Sequence, residues 1–585
     1  MLQQQLTGKI MAGGAFALNI VSINYGVIFA FAQYSAPLQA LFGPVLVATF
    51  IFNLSLTYWN YKKIAKRGLQ RWGTAYLVIS MSAMVILPAA GFAASSSYDP
   101  RTAMTILIVA VYPPFLTTLF IGAIQAGKTY SAHFDTGRFT CNESHTGKAS
   151  INLAGNRKIL LAFLLCALAS GVFLAYILLS RYPGLLQVVI SPNALFLAFF
   201  YPALAILIIK IYNRPRNFLS IATFTLGLCL MIIFILPLLM TLPAVNDAEN
   251  SFKSAYGENW RDQIDPAAKN HILLNKFSLP AYFLGFSPGS YNYQKDILFF
   301  EGTAGIDKGI KLYCDVFRPP PEKTDLPGIG STIIRIHGGA WIAGDKGIAN
   351  MMQMNSYLAS QGYTVFDIQY GLTDRVTLPQ MMIMYDFLDG IATSLPLQSS
   401  DFTTIGAPDS VTGPFTLDDM IRHLGLFSHF LVQNADEYGA SPDSVFISGG
   451  SAGGHLATAM ALAIAGGEHS QLFNPQVNVK GYIPFYPANR ATKILEQIGG
   501  SAEWVDVEKL VRRDSPPCLI FQGTKDGMVP KETALLFKKR YLDAGNKYCK
   551  IIYMPLAAHA ADYLFTGYYN QAFLYYMERF MLMHQ

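Results

Sequence analysis

The chain has 585 residues, of which 14% are charged and 52% hydrophobic, with a mean hydropathy of +0.31. Soluble globular proteins carry about 25% charged residues, so a wholly soluble multidomain protein is excluded. Residues 1–242 hold 16 Lys+Arg and 3 Asp+Glu, a net +13, and the remainder carries −7; the basic residues of the first part sit between apolar runs, which does not describe a nucleic-acid binder.

A bilayer core of about 30 Å needs roughly 20 apolar residues in one helix. Seven stretches qualify, near 10–32, 38–59, 73–94, 102–126, 159–180, 193–211 and 218–242. They predict a helical polytopic membrane domain over 1–242, with kinks at Pro88, Pro113, Pro114, Pro202 and Pro237. Ala30-Phe31-Ala32 has the small residues of a signal-peptidase site, but the first apolar run is long and its basic region is one lysine, so a retained helix is expected. Lys9 and the loops after the second, fourth and sixth segments carry 14 basic residues, against Arg101 and Arg181 in the others. The positive-inside rule then sets the amino terminus in the cytoplasm and everything after the seventh segment on the extracytoplasmic side, periplasmic or lumenal. The absence of any N-x-[ST] sequon beyond residue 242 fits a bacterial periplasmic face. No Asp, Glu, His, Lys or Arg lies in the interior of a segment, which argues against an ion-coupled transporter. Asn19, Asn24, Asn53, Gln125 and Asn193 remain there, to bond between helices or to line a groove for a lipid-like substrate.

From Pro243 the composition is that of a soluble protein. Residues 243–295 read as a connector or cap, with an amphipathic helix near 247–265. Over 296–585, β-rich runs follow at 296–300, 310–317, 331–336, 363–368, 444–448, 479–485, 517–521 and 549–554. Most are continuously apolar and, from the third onward, separated by helical spacing. That pattern predicts an α/β domain: eight strands in a mostly parallel, doubly wound sheet. The stretch 371–415, with Met381, Met382 and Met384, is too long for a crossover and reads as a lid or binding insertion. Six cysteines show no C-x-x-C or Cys/His spacing that would hold zinc.

Gly449-Gly450-Ser451-Ala452-Gly453 fits G-x-S-x-G between a strand and the helical run 455–465, the arrangement that lifts a serine hydroxyl above a sheet. His337-Gly338-Gly339-Ala340-Trp341 follows the third strand, where glycines hold backbone N–H groups open to a developing oxyanion. The candidate donors are Gly338, Gly339 and Ala340, with Ala452 beside the nucleophile. In the chain order Ser, acid, His, Asp526 follows the strand 517–521 and His559 the strand 549–554, both at carboxyl ends. The other histidines lie on helices, before the sheet or at the terminus; His455 is read as packing locally and His337 as shaping its loop.

The sequence Ile334-Arg335-Ile336-His337-Gly338-Gly339-Ala340-Trp341, the block 449–457 and the loop 523–530 resemble the carboxylesterase branch of the α/β-hydrolases that includes hormone-sensitive-lipase-like esterases. The His-Gly-Gly-x-Trp form is similar to isoprenylcysteine methylesterase and kynurenine formamidase relatives. The resemblance covers about 296–580 and implies Ser451 as nucleophile, His559 as general base and acid and Asp526 as orienter, with no metal or organic cofactor. Three departures bear on substrate preference: Gly450 where many members have an acid, Asp367-Ile368-Gln369-Tyr370 in place of Asp-Tyr-Arg, and Ala560-Ala561-Asp562 after the histidine in place of Gly-Phe. The expected function is a membrane-bound serine carboxylesterase with the bilayer and an ester substrate, lipid-like or small, as its partners and no nucleic acid. The rivals are an acyltransferase or deacylase acting on a lipid or glycan, and a non-catalytic membrane binding protein.

Overall fold

The computed structural model describes residues 2–32, 35–63, 67–134, 153–181, 185–213, 217–286, 289–347, 350–376 and 409–585. Met381, Met382 and Met384, with most of the expected insertion, lie outside them.

Among the described residues, seven helical spans are long and apolar enough to cross a membrane, in the seven places expected. They comprise α1 (Leu2–Phe31), α2 (Ala36–Lys63), α3 (Arg67–Ser95), the broken span of α4 (Pro100–Ile106) and α5 (Tyr112–Phe134), α6 (Leu153–Leu179), α7 (Leu185–Tyr212) and α8 (Phe218–Tyr256). Asp99 caps α4, accepting from the N–H groups of Arg101 and Thr102, with Pro100 at the first helical position. Between α4 and α5 lies a π-helical turn, Leu107–Val111. Pro113 and Pro114 have no N–H to return to the preceding turn, and the helix accommodates them by widening, with Tyr112 N–H reaching back to Leu107 O. Asn19 bonds Asn53 at 2.8 Å and Gln125 bonds Thr57 at 2.9 Å between helices, whereas Asn24 and Asn193 bond carbonyls of their own helices.

The amphipathic helix expected near 247–265 is not a separate element. α8 runs unbroken through Pro243 to Tyr256, 39 residues or about 58 Å, and stops at Gly257, whose φ of 96° leaves the helical region. Ala248, Phe252 and Ala255 are buried in its polar half, so the helix survives its exit from the apolar zone because packing on the second domain replaces the lipid.

That domain is an eight-stranded sheet of order β1-β2-β4-β3-β7-β8-β9-β10. The strands are β1 (Asn292–Glu301), β2 (Lys311–Arg318), β3 (Thr332–Ile336), β4 (Thr364–Ile368), β7 (Val445–Gly450), β8 (Val479–Phe485), β9 (Cys518–Gly523) and β10 (Cys549–Met554). β2 is antiparallel to both neighbours and every pairing from β3 onward is parallel. The chain leaves β3 for β4 on one side and returns to β7 on the other, so a topological switch point lies beyond Ile336 and Gly449, which are register partners. A two-residue parallel pair, β5 (Leu372–Thr373) and β6 (Thr412–Gly413), closes the root of the insertion.

One apolar core runs without interruption from the long apolar helices to one face of the sheet, joining Phe29, Phe199 and Phe252 to Val365, Phe446 and Phe521. The helix Tyr568–His584 carries much of this junction. In it Glu578 is 1% exposed and accepts from Tyr357 O–H and Leu273 N–H. Burial raises its pKa from 4.5 to about 7. The neutral carboxyl therefore favours folding fully below about pH 4.5, and that contribution, about 3 kcal/mol, is lost as pH rises through 7. Glu578→Gln, which mimics the protonated form, is expected to raise the thermal midpoint at pH 8 and leave it nearly unchanged at pH 4.5; equal midpoint shifts at both would contradict this.

Candidate active site

Strand β7 ends in a turn at Ser451, whose φ of 56° and ψ of −118° are unfavourable for a residue with a β-carbon. The turn is held by Ser451 N–H donating to Phe485 O at 2.9 Å and by Ser451 O accepting from His455 and Ala488. The flanking glycines are obligatory for space. A Cβ on Gly453 would lie 2.2 Å from Ile336 O and 2.3 Å from His337 O, and one on Gly449 2.4 Å from Gly453 O. The helix Ala452–Gly466 starts immediately after Ser451, so the N–H of Ala452 belongs to the first turn, where no intrahelical acceptor exists.

Asp526 follows β9 and is 2% exposed. Its Oδ1 accepts from the N–H groups of Met528 (2.9 Å) and Val529 (2.8 Å), which turns Oδ2 toward His559 Nδ1 at 2.9 Å. His559 Nε2 stands 3.0 Å from Ser451 Oγ. Three residues spread over 108 positions thus form one hydrogen-bonded line beyond the carboxyl ends of β7, β9 and β10.

The loop after β3 faces the same point. A Cβ on Gly338 would sit 2.7 Å from Gly450 O and 3.4 Å from Ser451 Cβ; Gly339 has φ 121°, and Ala340 and Trp341 have φ 55° and 64°. Two consecutive left-handed non-glycine residues are strained and need outside support. His337 supplies part of it: Nε2 is paired with Gln369 Oε1, its ring stacks on Tyr370 at 4.5 Å, and Tyr370 O–H donates to His337 O at 3.1 Å. Burial lowers the His337 pKa. The Gln369-Tyr370 departure from the family signature is therefore the brace of this loop. Thr373 N–H donates to Trp341 O at 2.9 Å, so the root of the insertion is pinned to the loop as well.

His455 is buried beneath the site, its Nε2 2.9 Å from Trp504 O and its ring edge-on to Trp341 at 5.6 Å. Burial takes its pKa down to about 4, leaving it neutral at physiological pH. His423, on the helix Leu417–Gln433, bonds Asp307 at 3.0 Å and accepts from Gly371 N–H at 3.1 Å, away from Ser451.

One neighbour of His559, Tyr486, carries no motif and was not anticipated. The Tyr486 ring lies 4.6 Å from the imidazole, and its O–H donates to Asp562 Oδ1 at 2.8 Å. A Cβ on Gly450 would meet the Tyr486 hydroxyl at 3.1 Å. The Tyr486 hydroxyl thus fills the space beside Gly450 and ties that position to Asp562. Among the described residues no cluster of three or more His, Cys, Asp or Glu is placed to hold a metal ion.

Residues 333–511 match the family model described as the alpha/beta hydrolase fold. The second domain has the α/β-hydrolase fold. Among characterised relatives, "Probable carboxylic ester hydrolase LipM" of Mycobacterium tuberculosis is 24% identical over 278 residues, covering 43% of this chain and 54% of that protein. Esterase LipQ of the same organism is 29% identical over 337 residues, covering 53% and 67%. The chain thus spans about half of one relative and two thirds of the other. Among solved structures, Thermogutta terrifontis esterase 2 aligns at 20% identity over 49% of this chain and 91% of its own, with a TM-score of 0.35.

Proposed function

We propose that the protein is an integral membrane serine carboxylesterase that hydrolyses an ester through an acyl-enzyme on Ser451. The observation that carries the reading is the Asp526–His559–Ser451 line, with 2.9 and 3.0 Å links, facing the 338–340 loop. His559 Nε2 takes the proton as Ser451 Oγ bonds the ester carbonyl carbon, and Asp526 holds Nδ1–H and stabilises the imidazolium. The carbonyl oxygen becomes an oxyanion facing N–H groups of the 338–340 loop and Ala452. Collapse breaks the bond to the alcohol oxygen, which leaves with the proton from His559. Water then repeats the sequence on the acyl-enzyme: its proton goes to His559, and the released Ser451 Oγ takes it back. The carboxylic ester hydrolase and esterase names of the two relatives support the same chemistry.

The hydrolase works on the extracytoplasmic side, with the amino terminus in the cytoplasm. Every bond described between the domains comes from one set of helix ends: Gln39 to Asn275, Tyr98 to Asp315, Arg181 to Glu532, and the far end of α8. The basic loops lie at the other ends, as the positive-inside rule requires. A membrane-impermeant fluorophosphonate applied to sealed spheroplasts expressing the chain tests both points. Wild type is expected to be labelled without lysis and Ser451→Ala to be silent. Labelling only after lysis would reverse the topology, and equal labelling of both proteins would remove Ser451 as the nucleophile.

A further inference from the structure

We infer that the first turns of the membrane helix α7 belong to the catalytic apparatus, with Gln187 as a positioning residue for the acid and base loops of the hydrolase. This rests on the esterase reading above. Gln187 is 2% exposed. Its Nε2 donates to Ser180 O at 2.7 Å, at the end of α6, and across the domain boundary to Lys525 O at 3.2 Å, with Ile177 O at 3.4 Å.

Lys525 immediately precedes Asp526, and its own N–H donates to Ala557 O at 2.9 Å, two residues before His559. The peptide groups flanking the Lys525 α-carbon are therefore a joint at which the acid loop, the base loop and α7 meet. A second tie lies one turn along α7, where Tyr568 O–H donates to Ser191 O. Tyr568 opens the helix that ends the His559 loop, and it stacks on Tyr282, whose O–H donates to Pro192 O at 2.8 Å. Both segments that deliver the base and its orienter are thus seated on one membrane helix. Ser451 and the 338–340 loop hang instead from β7 and β3, whose partners are strands and helices of the hydrolase itself.

A displacement of the Asp526–His559 pair relative to Ser451 slows proton transfer far more than it weakens substrate binding, because the near-attack geometry tolerates only a fraction of an ångström. The test uses the full-length chain in detergent with p-nitrophenyl butyrate, a fluorophosphonate and thermal unfolding. Gln187→Leu is expected to lower kcat and the rate of fluorophosphonate labelling about tenfold each, with KM within twofold and an unchanged thermal midpoint. Gln187→Lys, which presents donors to the same carbonyls, is expected to restore most of kcat. Arg181→Ala, which removes only the exposed 3.4 Å pair with Glu532, is expected to keep kcat.

A Gln187→Leu protein with kcat within twofold of wild type overturns the inference, as does a rise in KM at constant kcat. If Gln187→Leu does not fold, Tyr568→Phe decides: it cuts the second tie and leaves the α6–α7 hairpin intact, and an unchanged kcat in a folded protein overturns the inference. Failure of the esterase reading has a different signature, since wild type itself would then neither turn over the ester nor react with the fluorophosphonate.

Discussion

Ser451→Ala is expected to lower kcat on p-nitrophenyl butyrate by about 10⁵- to 10⁶-fold, the scale seen when the nucleophile of a serine hydrolase is removed. KM should stay within a few-fold and the thermal midpoint should hardly move. The alanine keeps the β-carbon that already tolerates φ 56°, and only the 3.0 Å contact to His559 is lost. Adding His559→Ala should cost little more, because a base without a nucleophile contributes almost nothing. A double mutant whose loss equals the product of the single losses would mean that the two residues do not act as a unit. Asp526→Asn should cost about 10⁴-fold by a different route. The amides of Met528 and Val529 hold the Oδ1 position and require an acceptor there, so the new NH₂ faces His559 Nδ1. That fixes the tautomer with its proton on Nε2, which cannot accept the proton of Ser451. Fluorophosphonate titration of active protein, run beside the rate measurements, separates these losses from loss of folded enzyme.

The residues in that line were legible because each belongs to a local pattern. Ser451 sits between an apolar strand and a small-residue helix start, and Asp526 and His559 follow apolar runs whose ends mark the rim of a parallel sheet. The parallel strands β3, β4 and β7 to β10 were legible for a similar reason: residues buried on both faces leave no alternation to misread. What escaped has its cause at long range. The boundary at Pro243 reflected a change of solvent, from lipid to protein and water, which alters composition without interrupting the backbone of α8. Tyr486 follows β8 with no motif around it, and its value to the site comes from Asp562, 76 positions away. Gln187 lay in the gap between two apolar runs and looked like an ordinary polar residue at a membrane boundary; only the fold brings Lys525 O to it. The rule for locating such residues is physical: a buried amide or carboxyl at a domain junction must find partners, and the partners identify what it holds.

Gly339→Ala is expected to lower kcat by about 10²- to 10³-fold, the range for loss of an oxyanion donor, with little change in KM. At φ 121° a side chain is strained, and here it also has no room: the new Cβ would stand 2.0 Å from Ala343 O and 2.6 Å from Ala343 C. Backbone cannot yield as a flexible side chain does, so the 338–341 loop must rotate, carrying its N–H groups off the point they share with Ser451. The loop has little freedom to relax elsewhere. His337 is held by Gln369 and Tyr370 at one end, and Trp341, fully buried, is held by Thr373 and packed against His455 at the other. The His559–Ser451 link lies outside the loop, so the variant should still react with a fluorophosphonate, more slowly, while Ser451→Ala does not react at all. That difference separates loss of oxyanion stabilisation from loss of the nucleophile. A Gly339→Ala enzyme with wild-type kcat would show that the donors lie elsewhere, leaving the Ala452 amide and groups outside the loop to carry the oxyanion.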